Sequence, residues 1–66
     1  MRLIINGTPH DVPPVTTLPE LLTALNLPQK TLLVELNGTA LHHREWETSP
    51  ITEGDSLEFL QIAAGG

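Results

Sequence analysis

The stretch Thr17–Leu25, TLPELLTAL, decides the fold of this 66-residue chain. Its leucines recur at i, i+3, i+4 and i+7, a spacing that places them on one face of an α-helix. They are Leu18, Leu21, Leu22 and Leu25. Thr17 and Glu20 have the Thr-x-x-Glu spacing of a capping box, so the helix is predicted to begin at Leu18 and to end near Asn26. A leucine stripe of this kind is typical of a helix packed on a core rather than of a ligand site.

Strand signals precede the helix. Residues 2–5 are largely apolar, and Asn6-Gly7 follows them at once. Because Asn-Gly supplies the positive φ angles of a tight hairpin turn, these residues predict a first strand and a return strand over Thr8–Val12. The prolines of Pro13-Pro14 cannot donate to a ladder, so the return strand is expected to be short and at a sheet edge.

Further strand signals follow the helix. Leu32–Leu36 reads as a strand ended by a second Asn-Gly pair, and Ala40–His42 as a short one. A loop or single helical turn is expected around Arg44–Trp46. Glu53-Gly54-Asp55 indicates a turn first and a partner contact second, and Ser56–Ile62 is predicted to be the last strand.

The alternation of side chains divides the last two long strands into two faces. The positions expected to point inward are Leu32, Val34, Leu36, Leu57 and Phe59. Leu60 and Ile62 are then left outward, and with Leu33 they would form a small exposed apolar patch, the usual mark of a docking surface. Glu35 and Glu58 would form a charged rim. The alternative is that these are scattered surface apolar residues, which are common on soluble proteins.

The chain ends in Ala63-Ala64-Gly65-Gly66, four small residues without side-chain functional groups. Glycine lacks a Cβ, so such a tail can pass where other residues would clash. We therefore predict a domain over residues 1–62 and a flexible tail over residues 63–66, with the terminal carboxylate of Gly66 as its reactive group. The alternative for this segment is a frayed terminus without function.

Composition excludes several classes of function. The chain has no cysteine, so no thiolate can act as nucleophile or metal ligand. Three Lys and Arg residues against eight Asp and Glu give a net charge of −5, which argues against nucleic acid and favours basic protein surfaces. The start of the chain is too short an apolar run for a signal peptide, and no stretch could span a membrane. A cytoplasmic protein is expected.

One helix on one face of a mixed sheet is the economical way to bury the leucine stripe. The predicted order of elements is therefore that of an α+β, ubiquitin-like β-grasp fold. Its sheet would have four to five strands, with the first and last strands parallel and adjacent.

The sequence resembles the sulfur carrier family of thiamine biosynthesis, ThiS, over essentially all of its residues. The matching segments are Asn6-Gly7, Thr17-Leu18 with Leu21-Leu22, Val34-Glu35-Leu36-Asn37-Gly38, Trp46, Glu53-Gly54-Asp55 and Gly65-Gly66. The resemblance implies that a ubiquitin-activating-like adenylyltransferase (ThiF type) uses ATP to adenylate the Gly66 carboxylate. A desulfurase system would then supply the sulfur of a thiocarboxylate, which thiazole synthase (ThiG type) consumes. The carrier would bind no cofactor and would be a co-substrate rather than an enzyme.

Two departures from the family pattern and two rival functions accompany this resemblance. The family's Pro-Arg pair aligns with His42 and His43, with Arg44 one residue later, and Ala64 stands where glycine is frequent. The nearest rival is a sulfur carrier for another pathway, such as the small subunit of molybdopterin synthase. The other is a non-catalytic β-grasp interaction module with an inert end.

The three histidines and the tryptophan are the remaining candidate site residues. His10, His42 and His43 lack a cysteine to complete a ligand set, and adjacent strand residues point to opposite faces, so we expect solvent-facing histidines and no metal. Trp46 is expected to be a structural anchor under the irregular loop rather than a partner contact, because of the apolar area that it buries.

Overall fold

The computed structural model describes residues 1–62, so the predicted tail lies outside the described residues. The elements in chain order are β1 (Arg2–Ile5), β2 (Thr8–Asp11), α1 (Leu18–Ala24), β3 (Leu32–Leu36), β4 (Thr39–Leu41), a single turn of 3-10 helix (His43–Glu45) and β5 (Ser56–Gln61). The strands form one five-stranded sheet in the order β2-β1-β5-β3-β4. The first and last strands are parallel neighbours, and the other pairs are antiparallel. The predicted α+β fold, a mixed sheet with one helix, is confirmed.

Both Asn-Gly pairs form hairpin turns, the first of them as predicted. Asn6 and Gly7 have φ values of 50° and 81°, and Asn37 and Gly38 have 50° and 85°. Two successive positive φ values match the right-handed twist of the strands that they connect. The asparagine side chains also hold β5: the Asn6 Oδ1 accepts from the Phe59 N–H at 2.8 Å, and the Asn37 Oδ1 accepts from the Ser56 N–H at 3.0 Å. Each turn therefore fixes the central strand as well as its own hairpin.

The helix begins and ends as its flanking residues dictate. The Thr17 hydroxyl accepts from the Glu20 N–H at 3.4 Å, and the Glu20 carboxylate accepts from the N–H groups of Thr16 and Thr17 at 2.8 and 3.2 Å. These two backbone donors lower the pKa of Glu20 below its ordinary value. At the other end Asn26 is left-handed (φ 57°), and the Leu27 N–H bonds to the carbonyl of Leu22, which completes a Schellman motif.

The core lies between the helix and the inner face of the sheet. It contains Leu3, Ile5, Val12, Leu18, Leu21, Leu22, Leu32, Val34, Trp46, Ile51 and Leu57. Leu18, Leu21 and Leu22 of the predicted stripe are fully buried, whereas Leu25, which caps the helix, is half-buried. Trp46 is 4% exposed, which confirms its role as an anchor. Burying side chains of this size stabilises the fold by about 1.5–3 kcal/mol each. The irregular segment between the 3-10 turn and β5 closes the core through Ile51, whose N–H donates to the Thr16 carbonyl at 2.9 Å.

Four predicted elements differ from the structure by one residue at one or both ends. The second strand ends at Asp11 rather than Val12, although Val12 still donates to the Met1 carbonyl at 2.8 Å. The fifth strand ends at Gln61 rather than Ile62. The short fourth strand is Thr39–Leu41, not Ala40–His42, and the helical turn is shifted to His43–Glu45.

The shift of the fourth strand has a local cause. The tight turn at Asn37 and Gly38 places Thr39 directly opposite Leu36, so β4 begins one residue earlier than expected. The strand then stops at Leu41, because the His42 N–H donates at 2.8 Å to the Glu45 carboxylate and so caps the 3-10 turn.

The turn before β5 is confirmed. Gly54 has a φ of 85°, and the Asp55 carboxylate accepts from the Thr52 N–H at 2.8 Å. The Glu53 carboxylate accepts from the Arg2 N–H, and the Gly54 N–H donates to the Arg2 carbonyl at 2.8 Å. The turn therefore joins the start of the first strand to the start of the last.

Candidate functional site

The outer face of β3 and β5 carries the predicted docking residues. Leu33 lies directly opposite Leu60 in the antiparallel pair, and their side chains are 49% and 64% exposed. Ile62 follows on the same face and is 47% exposed. The inward positions of the same strands are buried or half-buried, as alternation requires. The assignment of strand faces is therefore correct, and the docking role of these residues stays a prediction.

A shallow groove of about 510 Å³ gathers four of the five predicted residues. Leu33, Glu35, Glu58 and Leu60 all line it, whereas Ile62 does not. The groove continues onto the edge strand β4 at Ala40 and Leu41 and onto His42 just after it, three residues outside the predicted docking set. Because Ala40 lies directly opposite Glu35, its place on this face follows from the register of β3 and β4. The second Asn-Gly turn, read as a two-residue hairpin, could have predicted that register. We call Leu33, Glu35, Glu58, Leu60 and Ile62 the outer-face surface.

The two carboxylates of this surface face each other across the strands. Glu35 and Glu58 are direct partners in the β3–β5 ladder, and both are exposed. Like charges at directly opposite positions destabilise a sheet. The salt bridge within residues 1–62 joins Arg2 to Asp11. No described cation therefore forms a salt bridge with Glu35 or Glu58. The arrangement makes this part of the sheet attractive to a basic group from outside.

Ile4 extends the apolar part of the outer face beyond the predicted residues. It is 36% exposed and lies between buried Leu3 and Ile5 on β1, which is the parallel neighbour of β5. The sequence contained the signal for it, because alternation along a strand with Leu3 and Ile5 inward leaves Ile4 outward.

The end of β5 is held firmly where the described residues stop. The Ile62 N–H donates to the Thr31 carbonyl at 2.8 Å, and the Gln61 side chain donates to the Thr31 hydroxyl at 2.9 Å. Residues 63–66, including Gly65 and Gly66, lie outside the described residues, and the prediction for them stands as made. The outer-face surface therefore leads along β5 to the residue before the predicted tail.

The two adjacent histidines are arranged differently from the prediction. They do not share a strand: His42 follows β4, and His43 begins the 3-10 turn. Both are exposed, but the His43 ring lies 4.2 Å from the Trp46 ring, and its Nε2 is 3.3 Å from the Leu32 carbonyl. Within residues 1–62, His, Cys, Asp and Glu form no group of three or more that could hold a metal ion.

Neither α1 nor the 3-10 turn, the helices of residues 1–62, has the length and apolar character that crossing a membrane requires.

A family model and two solved structures point to one family. The model of the ThiS family matches residues 3–66. The crystal structure of the thiamine biosynthesis protein ThiS from Geobacter metallireducens superimposes with a TM-score of 0.83, at 36% identity over all of both chains. The solution structure of a thiamine biosynthesis protein from that organism gives 0.80 at 36% identity, covering all of this chain and 88% of the other. The uncharacterised protein ycf40 of Porphyra purpurea is 31% identical over 62 residues, which is 94% of this chain and 87% of the relative. The chain belongs to the ThiS family.

Proposed function

We propose that this chain is a sulfur carrier for thiazole formation in thiamine biosynthesis and acts in the cytoplasm. Family membership supports the carrier role, and the Geobacter metallireducens protein of both similar structures is a thiamine biosynthesis protein. The observation that carries the proposal is the exposure of Leu60 on the last strand and of Ile62 just after it, directly ahead of the small-residue segment 63–66. A partner that holds the outer-face surface would thereby receive the end of the chain.

The proposed chemistry takes place at the Gly66 carboxylate. A carboxylate is a poor electrophile, so a partner adenylyltransferase of the ThiF type first joins it to the AMP part of ATP and releases pyrophosphate. The sulfur of a persulfide from a desulfurase system then attacks the carbonyl carbon, and AMP leaves. Reduction of the resulting acyl disulfide by a thiol frees the thiocarboxylate, whose sulfur passes to a thiazole synthase of the ThiG type. This is covalent activation of a carrier group by partner enzymes.

In this scheme the chain is a protein co-substrate and not an enzyme. It has no cysteine to take up sulfur on a side chain. Its acidic surface at Glu35 and Glu58 would contact cations of the partner, and Leu33, Leu60 and Ile62 would supply the apolar contact beside them. ATP would be bound by the adenylyltransferase, and the carrier itself would bind no cofactor.

Intact mass spectrometry tests the carrier role. The chain is incubated with its adenylyltransferase, saturating ATP and a sulfur donor. Exchange of one carboxylate oxygen for sulfur adds about 16 Da, and this species is the expected product of the activation. If no modified species forms, the carrier role is wrong, and the interaction module becomes the better interpretation. The control is the same chain with one alanine added after Gly66, which is expected to remain unmodified.

The Leu60→Asp variant tests the docking role of the outer-face surface. Because Leu60 is 64% exposed, the substitution should leave the fold intact while it weakens binding to the adenylyltransferase at least tenfold. The matched control is Thr23→Glu, which adds the same charge at an exposed position of the helix. Equal affinities of the two variants, measured by titration calorimetry, would contradict a docking role for this face.

Complementation distinguishes the thiazole pathway from the molybdopterin alternative. Expression in a strain that requires thiazole because it lacks its own carrier should restore growth, whereas expression in a strain without the small subunit of molybdopterin synthase should not. The reverse result would assign the chain to the other pathway.

A further inference from the structure

The cations of this acidic chain are unevenly distributed. The sequence contains three Lys and Arg residues against eight Asp and Glu. Two of the three, Lys30 and Arg44, line one pocket of about 360 Å³ between the segment that follows the helix and the 3-10 turn. His43 and Trp46 line it as well, and we call these four residues the cationic pocket.

Both cations of the pocket are available to a ligand. Lys30 and Arg44 are exposed, and the ion pair of the described residues, Arg2 with Asp11, involves neither of them. Glu47 also lines the pocket but forms no salt bridge with either cation. An Arg guanidinium binds a carboxylate through two parallel hydrogen bonds, and a Lys ammonium adds a second positive charge.

The floor of the pocket is rigid. Trp46 is 4% exposed and belongs to the core, and the His43 ring lies against it at 4.2 Å with a tilt of 56°. His43 is fixed from its other side by the contact of Nε2 with the Leu32 carbonyl at 3.3 Å. Because its floor is packed into the core, the pocket keeps its shape without a bound partner.

The cationic pocket lies at the end of the sheet where the predicted tail begins. Lys30 directly precedes Thr31, whose carbonyl accepts from the Ile62 N–H, and His43 contacts the next residue, Leu32. Glu35 on β3 and Glu58 on β5 lie on the outer face, further from this end of the sheet. Positive and negative groups therefore line two different pockets, and the positive pocket is the one joined to the end of β5 through Thr31.

We propose that the cationic pocket binds a carboxylate side chain, Asp or Glu, of the adenylyltransferase that docks on the outer-face surface. This inference rests on the proposed function and adds the charge pattern of the partner: basic groups opposite Glu35 and Glu58, and an acidic group opposite Lys30 and Arg44. Complementary charges of both signs fix the orientation of a complex, because a rotated partner would place like charges together. The pocket thus sets the direction in which the end of the chain enters the partner.

Charge reversal tests this proposal. The affinity of the adenylyltransferase is measured for Lys30→Glu, Arg44→Glu and the double variant, with Arg2→Glu as the matched control. Arg2→Glu makes the same change of charge, but Arg2 lies at the start of β1, beside the turn before β5. Each pocket variant should weaken binding about three- to fivefold and the double variant about tenfold or more, while the control changes binding less than about twofold. The double variant should also lose part of the salt dependence of the wild-type chain.

Two further measurements keep the outcomes distinct. Neutral Lys30→Gln with Arg44→Gln serves if the charge-reversed chain does not fold, and it should weaken binding about fivefold. The wild-type chain is assayed for its gain of mass in the same preparation. If the wild type is modified while the pocket variants bind as the control does, the inference is wrong and the carrier role stands. If the wild type is not modified, the proposed function is wrong, and this inference falls with it.

Discussion

The two faces of the sheet are built from the same strands but have opposite properties. Leu57 and Leu60 lie three residues apart in β5, yet Leu57 is fully buried under the helix and Leu60 is 64% exposed. On the inner face every large apolar side chain contacts the core. On the outer face apolar side chains lie in solvent and two carboxylates oppose each other. Burial in the core explains the apolar residues of the inner face. It does not explain the exposed apolar residues and paired carboxylates of the outer face.

This difference teaches where function is to be sought in a chain of this size. A domain of 66 residues has about 3–10 kcal/mol of stability to lose. A polar residue in place of Leu60, or a neutral one in place of Glu58, would cost this fold little or nothing. The outer-face surface is a set of residues that stability does not require, and this is the reason for proposing that it contacts another molecule.

The largest expected effect concerns Trp46, which helps to close the inner face from outside the regular elements. Trp46→Ala should lower the free energy of unfolding by about 3–5 kcal/mol, because it leaves a large cavity. Trp46→Phe keeps an aromatic ring and removes an indole N–H that is buried without a hydrogen-bond partner among the described residues. It should cost less than about 1.5 kcal/mol, because an unpaired buried donor is itself unfavourable. Urea denaturation of both variants measures this, and equal losses would contradict the cavity argument.

The comparison of faces is tested directly by the two leucines of β5. Leu57→Ala should lower the free energy of unfolding by about 2–5 kcal/mol, whereas Leu60→Ala should change it by less than about 0.5 kcal/mol. Both variants remove the same atoms from the same strand, so each is the control of the other. Similar losses in chemical denaturation would mean that the outer face also contributes to the core.

A smaller effect of opposite sign is expected at the carboxylate pair. Glu58→Lys replaces a like-charge pair with an opposite-charge pair across β3 and β5, so it should stabilise the fold by about 0.2–1 kcal/mol. The same variant should bind the adenylyltransferase more weakly, since it reverses a charge of the outer-face surface. A gain in stability with a loss of affinity would separate the two faces by function. A loss of both would show that Glu58 supports the fold.

The smallest effect concerns pH and the helix that covers the inner face. The Thr16 and Thr17 N–H groups lower the pKa of Glu20 relative to its value of 4.5 in the unfolded chain. A lowered pKa in the folded state contributes stability above the unfolded pKa, and this contribution is lost as the pH falls through the folded pKa. Denaturation curves at a series of pH values below 4.5 should therefore show that the free energy of unfolding falls less steeply with pH for Glu20→Gln than for the wild type. Identical slopes would contradict the assigned cause.

Local patterns predicted much of this structure. The capping residues Thr17 and Glu20 predicted the start of the helix, Asn6-Gly7 predicted the first hairpin turn, and alternation assigned the strand faces correctly. Boundaries that depend on competing side-chain contacts were less accurate. The end of β4 was misplaced because the contact of His42 with Glu45 is not visible as a pattern.

The candidate site was predictable only in part. Leu33, Leu60 and Ile62 were identified because each is a large apolar residue at an outward position of a strand. The cationic pocket was not predicted, because Lys30 and Arg44 belong to separate irregular segments that carry no periodic signal.

The sequence by itself determined the local elements, the face on which each strand residue lies and the acidic charge of the chain. These follow from interactions between residues close in the chain, such as helix caps, turn conformations and the two-residue repeat of a strand. Only the tertiary structure decided that Leu33 lies opposite Leu60, that Glu35 opposes Glu58, and that Lys30 and Arg44 share one pocket. Such neighbours are far apart in sequence and meet only when the strands pair beneath the helix. The physical reason is that strand register is set by burial of the whole inner face, which no single segment contains.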